Sequence, residues 1–192
     1  MRLRRGPAAR RRRIVRIRNV IAFVIPLCLI LGLPAWFLFP PADGPHSSDA
    51  VLVLAGASDG RHQLGAVLVN EGVAPNFVVS NPSGEEEPVG SSHCAGGKRP
   101  ERALETWCMK PAPGTTMGEA KTVGGIAESE GWMSLTAVTN RPHARRVRTI
   151  LEQCTALDIS VVPIENVDVI RAPVHIAREI AGFIKFWITD PC

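Results

Sequence analysis

An uncharged run, VIAFVIPLCLILGLPAWFLF at residues 20–39, directly follows a block with nine arginines in its first eighteen residues. About twenty apolar residues are what a helix needs to cross the hydrocarbon layer of a bilayer. Pro26 and Pro34 lie inside the run, a cost in a soluble helix that membrane helices tolerate. Trp36 sits near the outer end, where an indole favours the interface. Arginine before the span and none directly after it predicts a cytoplasmic N-terminus, so residues 1–19 form a basic cytoplasmic tail and 20–39 a single-pass anchor in the plasma membrane. A cleaved secretory signal, cut near Ala42, is the alternative. Its apolar core would be shorter, about 7–15 residues, and FPPADG is a poor small-x-small site. Both readings place the rest of the chain outside the cytoplasm.

The net charge of +4 on 192 residues invites a nucleic-acid partner, but its distribution excludes one. From Asp43 onward acidic residues outnumber Lys plus Arg, so the folded part is not basic, and nucleic-acid domains concentrate charge on a folded face. Cysteine usage fits an oxidising compartment. Cys28 lies in the span, whereas Cys94, Cys108, Cys154 and Cys192 lie beyond it; of their three pairings the expected one is Cys94 with Cys108 and Cys154 with Cys192. His93, Cys94 and Cys108 lack a compact metal-ligand spacing, so no metal site is expected there.

Residues 40–48 read as a Pro/Ser/Gly linker to an extracytoplasmic domain at 49–192. AVLVLAG, 50–56, is a continuous β-branched run ending in glycine, as in a strand buried on both faces of a parallel sheet. A helix over 61–72 and a strand over 76–80 complete a βαβ unit. Residues 81–114, rich in Gly, Pro and Ser, read as a long cysteine-containing loop. Helices over 116–131, 142–154 and 173–187 alternate with strands over 134–140 and 159–164. The last helix carries Ile176, Ile180, Phe183, Ile184 and Trp187 on one stripe and reads as a core-packing element. The expected fold class is α/β, a Rossmann-like parallel sheet with helices on both faces, preceded by one transmembrane helix.

Ligands of open parallel sheets bind beyond the carboxyl ends of the strands. Those ends carry Gly56 to Arg61, Ser80-Asn81, and Thr139 to His143. GASDGR has neither a P-loop nor a dinucleotide fingerprint. Alone it reads as a tight turn with a solvated arginine; in company, its glycine turn and Arg61 can hold an anion at a helix start. In VTNRPHARRVRTI, 138–150, Pro142 suits a first helical turn, and His143, Arg145 and Arg146 follow beside the positive end of the helix dipole. Cations there are disfavoured unless something negative sits among them; the plain alternative is that they reach into water, each at a cost below about 1 kcal/mol. TTMGEA, 115–120, opens another helix, with Thr116 and Glu119 spaced as a capping box. A functional role instead requires Glu119 to face the cleft and orient Arg146 or act near His143; Asp59 and Glu119 could also share a divalent ion.

At these places the sequence resembles the YdcF-like family, domain of unknown function 218, which includes the SanA and ElyC envelope proteins. The match covers about residues 49–165 and rests on DAVLVLAG with Arg61 downstream, GVAPNFVVSN, TTMGEA and VTNRPHARR. His143 and Arg146 occupy the last two positions of the family's T-S-x-x-H-x-x-R signature, and Thr116, Glu119 and Ala120 match its helix start. Asn81 stands where glycine is common and Asn140 where serine is usual, and the segment holding Cys94 and Cys108 lies outside the pattern. The resemblance implies a Rossmann-like domain, often membrane-anchored, associated with envelope integrity.

Two expectations of function follow. In one, the protein is a hydrolase or transferase acting on a phosphorylated or nucleotide-like envelope substrate such as a lipid-linked precursor. Gly56, Arg61, Ser80, Thr116, Thr139 and Arg146 would bind that substrate, with His143 as general acid or base and Glu119 orienting it. In the other, the same cleft belongs to a non-catalytic envelope-integrity module that binds such a ligand or a partner protein. The sequence names no cofactor.

Overall fold

The computed structural model describes residues 7–56, 59–94, 97–165, 170–189 and 192. Helix α1 (Pro7–Leu38) begins well before the apolar run and continues through Pro26 and Pro34. Its stretch Arg16–Leu38 is long and apolar enough to span a membrane, a test that a secretory signal also passes. The span's side chains are exposed along most of its length, apart from Phe37, which is buried against the domain.

Beyond it lies an α/β domain. Strands β1 (Ala50–Val53), β2 (Asn76–Ser80), β3 (Glu105–Met109), β4 (Ser134–Asn140) and β5 (Asp158–Ile164) form one parallel sheet in the order β3-β2-β1-β4-β5. Helices α2 (Arg61–Asn70), α3 (Pro88–Cys94), α4 (Thr116–Glu130), α5 (Arg141–Cys154) and α6 (Ala172–Thr189) flank it. The period-two alternation of a strand divides the core cleanly. Ala50, Leu52 and Leu54 join Val123, Val147, Ile150 and Phe186 in one cluster; Val51 and Val53 join Leu68, Val69, Phe77 and Cys94 in the other. All four residues of β1 are buried, which is why its run carries no polar alternation.

Two expectations change. Residues 81–114 are not a featureless loop, because α3 and the edge strand β3 lie within it. β3, ETWCM, pairs on one side with β2 and is mostly exposed or half-buried, so it lacks the apolar run that marks a central strand. Residues 40–49 are also tied down. Asp43 accepts from Val161 N at 2.8 Å and pairs with Arg148; Ser48 N donates to Val73 O at 2.9 Å; Asp49 Oδ2 accepts from Met133 N and Ser134 N. The linker is a strap along the domain, held by its own polar side chains. Cys94 pairs with Cys108, joining α3 to β3, and Cys154 pairs with Cys192.

The strand order decides where a ligand can sit. From β1 the chain moves outward through β2 to β3 and then returns to place β4 against the other side of β1. β1 and β4 thus flank the switch point, where loops diverge to opposite faces and leave a crevice beyond the carboxyl ends.

Candidate functional site

That crevice is a cleft of about 550 Å³. Gly56 after β1, Thr116 and Glu119 of α4, and Asn140, His143 and Arg146 from the β4–α5 junction all line it. Of the residues expected at a site, Arg61 also reaches its wall, whereas Ser80 and Thr139 are fully buried at the strand ends and do not line it.

His143 and Arg146 converge on a residue the sequence did not single out. His143 Nδ1 lies 2.9 Å from Glu179 Oε2, and Arg146 grips the same carboxylate with Nε at 2.7 Å and Nη2 at 3.0 Å. Glu179, on α6, is buried. Burial works to raise its pKa, but hydrogen bonds and charge from His143 and Arg146 outweigh it and hold the carboxyl down at about 2. Burial lowers the His143 imidazole below its ordinary value, against the opposing pull of Glu179. The site therefore holds a neutral imidazole beside an ionised carboxylate at pH 7.

Two neighbours compete for Nδ1, since Arg146 Nη2 also lies 3.0 Å from it. An ionised carboxylate can only accept, so the 2.9 Å contact with Glu179 Oε2 needs a donor on the ring, whereas Arg146 Nη2 has Glu179 Oε1 as an acceptor of its own. Nδ1 therefore carries the hydrogen and donates to Glu179, which leaves the lone pair on Nε2. Nε2 faces the Thr116 hydroxyl at 3.4 Å, and Arg146 Nη1 donates to that same oxygen at 3.1 Å.

The expected capping box is out of register by one. Thr115 caps α4, its hydroxyl accepting from Gly118 N at 3.2 Å, and Thr116 is the first helical residue. Its side chain is thereby free to meet His143. Glu119 faces the cleft but orients neither His143 nor Arg146 through any hydrogen bond among the described residues; its Oε1 accepts from Ala55 N at 2.8 Å and ties α4 to the turn after β1. The orienting role belongs to Glu179.

Arg61 is equally committed. Its Nε and Nη2 meet Asp59 at 2.9 and 2.5 Å, and Nη1 donates to Ala55 O at 2.9 Å. A Cβ on Gly56, at φ 149°, would come within 2.6 Å of Nη1, so the glycine makes room for this buried guanidinium. Because Arg61 occupies both Asp59 oxygens, Asp59 and Glu119 do not form a vacant carboxylate pair. The described residues contain no cluster of three metal-ligating side chains.

Arg145 points elsewhere. Its Nε donates to Trp36 O at 2.6 Å and its guanidinium lies 4.4 Å from the Trp36 ring, with Phe183 of α6 against Trp36 and Phe37. The end of the span is thus docked on α5 and α6, the helices that build one wall of the cleft.

α6 also contributes His175 and Arg178 to the lining. Arg178 is exposed and has no hydrogen bond or ion pair among the described residues, so it is the cleft's uncommitted cation. The signal for α6 was present in the sequence: Glu179 falls between Ile176 and Phe183, a carboxylate on the apolar stripe. A charge there needs a buried partner.

Comparison with known protein families, curated proteins and solved structures finds no match to this chain. The function rests on the geometry.

Proposed function

We propose that this protein is a single-pass membrane protein of the YdcF-like type, its N-terminus cytoplasmic and its α/β domain on the outer side of the plasma membrane. In this reading the cleft at the β1/β4 switch point takes a phosphorylated substrate of the cell envelope and hydrolyses or transfers it. The observation that carries the proposal is the His143 imidazole, 2.9 Å from Glu179 at Nδ1, lining a cleft that also contains Arg178. An imidazole fixed in one tautomer with its lone pair toward a cavity is suited to general-base work. Docking of Trp36 and Phe37 on α5 and α6 supports a lipid-linked substrate, because it holds the cleft-bearing helices beside the end of the span.

Neutralisation of Arg61 by Asp59 and of Arg146 by Glu179 supports a second reading, a non-catalytic module that binds a phosphorylated or nucleotide-like ligand or a partner protein. The test offers the full chain in nanodiscs a panel of phosphoesters and pyrophosphates beside His143→Ala. Turnover that falls at least about a hundredfold in the variant supports the enzyme. Ligand binding without turnover in either protein supports the module. Neither binding nor turnover by the unaltered chain overturns both.

A further inference from the structure

Resting on the enzymatic reading above, we infer that Thr116 is a covalent nucleophile, activated by His143, for phosphoryl transfer from a phosphoester. The geometry is a relay of hydroxyl, imidazole and carboxylate. Thr116 Oγ1 lies 3.4 Å from His143 Nε2, whose opposite nitrogen lies 2.9 Å from Glu179 Oε2. A nucleophile, a base within reach of it, and a third group orienting the base form the general signature of an activated hydroxyl. The hydroxyl contact is long for a hydrogen bond, as catalytic contacts without bound substrate often are.

Three further observations favour this role. Thr115 performs the capping, so the Thr116 side chain is not consumed by its own helix. Arg146 Nη1 donates to Thr116 Oγ1 at 3.1 Å, which stabilises negative charge developing on that oxygen and leaves the hydroxyl hydrogen to point at Nε2. Thr116 also lines the cleft that would receive the phosphoester.

The step balances within the site. Thr116 Oγ1 attacks phosphorus, its proton passes to His143 Nε2, and the bond from phosphorus to the ester oxygen breaks. The leaving alkoxide takes that proton and departs as an alcohol, and the protein carries a phosphothreonine. Water, or an acceptor alcohol in a transferase, then gives its proton to His143 Nε2 and attacks the same phosphorus. Thr116 Oγ1 leaves and recovers the proton. Glu179 is a positioning residue throughout, and Arg146 holds the nucleophile's oxygen.

An alkyl fluorophosphonate tests this without knowledge of the natural substrate, because an activated hydroxyl displaces fluoride and retains the phosphonyl group. The full chain in nanodiscs is treated with the probe, and the adduct is located by peptide mass spectrometry. One adduct on Thr116 is expected, reduced at least about a hundredfold in His143→Ala and absent at that position in Thr116→Val. Thr116→Ser keeps the hydroxyl and retains labelling, which separates loss of the nucleophile from loss of the fold. An unlabelled natural chain, or labelling of Thr116→Val at the natural rate, overturns the inference. Phosphoester turnover that depends on His143 but survives in Thr116→Val overturns it too, yet leaves the enzymatic reading standing with water as the direct nucleophile. Turnover indifferent to His143 removes the enzymatic reading itself.

Discussion

His143 Nδ1 and Glu179 Oε2 stand 2.9 Å apart across the α5–α6 interface, and Arg146 grips both oxygens of the same carboxylate. The negative group among the cations at the start of α5 is thus supplied by the protein. Removing it leaves a guanidinium partly enclosed without its counter-ion. Breaking a buried pair in this way costs about 3–5 kcal/mol. Glu179→Ala is expected to lose stability in that range by urea unfolding, and Glu179→Gln less, because the amide still accepts a hydrogen bond. A loss below about 1 kcal/mol in Glu179→Ala would place the pair in the weak class of surface bridges.

Gly182 and Gly125 give opposite signs for the same substitution. A Cβ at Gly182 would stand 2.6 Å from Arg146 Nε and 2.8 Å from its Cζ, displacing a side chain that Glu179 and Thr116 hold in place. Gly125, on the exposed face of α4, has nothing within 4 Å of the added carbon. Gly125→Ala is expected to stabilise by about 0.5–1 kcal/mol through lost backbone freedom. Gly182→Ala is expected to destabilise by about 1–3 kcal/mol, as overpacked sites do. Thermal midpoints moving in the same direction would contradict the placement of Arg146.

His62 predicts an acid-sensitive fold. It is fully buried, its two ring nitrogens have no hydrogen-bond partner among the described residues, and its ring lies 5.3 Å from that of His93. Burial first, then the neighbouring His93 and Arg61, lower its pKa from 6.5 to about 4. The unfolded chain takes up this proton as pH falls below about 6.5, whereas the folded chain resists until about 4. The neutral ring's advantage is therefore complete above pH 6.5 and is lost as pH falls toward 4, by about 3 kcal/mol. His62→Leu should be neutral or stabilising at pH 7, since it removes buried unpaired nitrogens, and should flatten that part of the curve. Denaturant midpoints of both proteins from pH 7 to 4 give the answer. An unchanged slope in His62→Leu would contradict it.

The pH response of the site should also change with Glu179. The carboxylate opposes the burial that lowers His143, so Glu179→Gln should lower the imidazole further. The acid limb of any His143-dependent rate then moves to lower pH while the rate falls. A limb that stays in place would separate the base from Glu179.

The central strands were legible from sequence because β1, β2 and β4 are buried runs punctuated by glycine, serine and asparagine, and their parallel direction, though not their order, follows from the helices between them. The edge strand was not, because a strand paired on one side needs little apolar signal. The position of the cleft was legible as well, since strand ends in such sheets converge. What the sequence concealed was pairing at a distance. His143 and Glu179 are separated by 36 positions, and nothing local to α5 says which carboxylate will meet it. The cap of α4 is hidden for the opposite reason: the local spacing of Thr116 to Glu119 fits a capping box, yet Thr115, one residue earlier, caps the helix.

In the proposed reading the cleft prefers a phosphorylated guest, and Arg178 is the cation left among the described residues to receive one. The most direct measurement is the affinity of the full chain for a bound phosphoester and for its parent alcohol, repeated with Arg178→Ala. The phosphoester should bind more tightly than the alcohol, and Arg178→Ala should weaken it about tenfold, or about 1.4 kcal/mol. Equal affinity for ester and alcohol would show that the cleft does not read phosphate, and would contradict the account at its base.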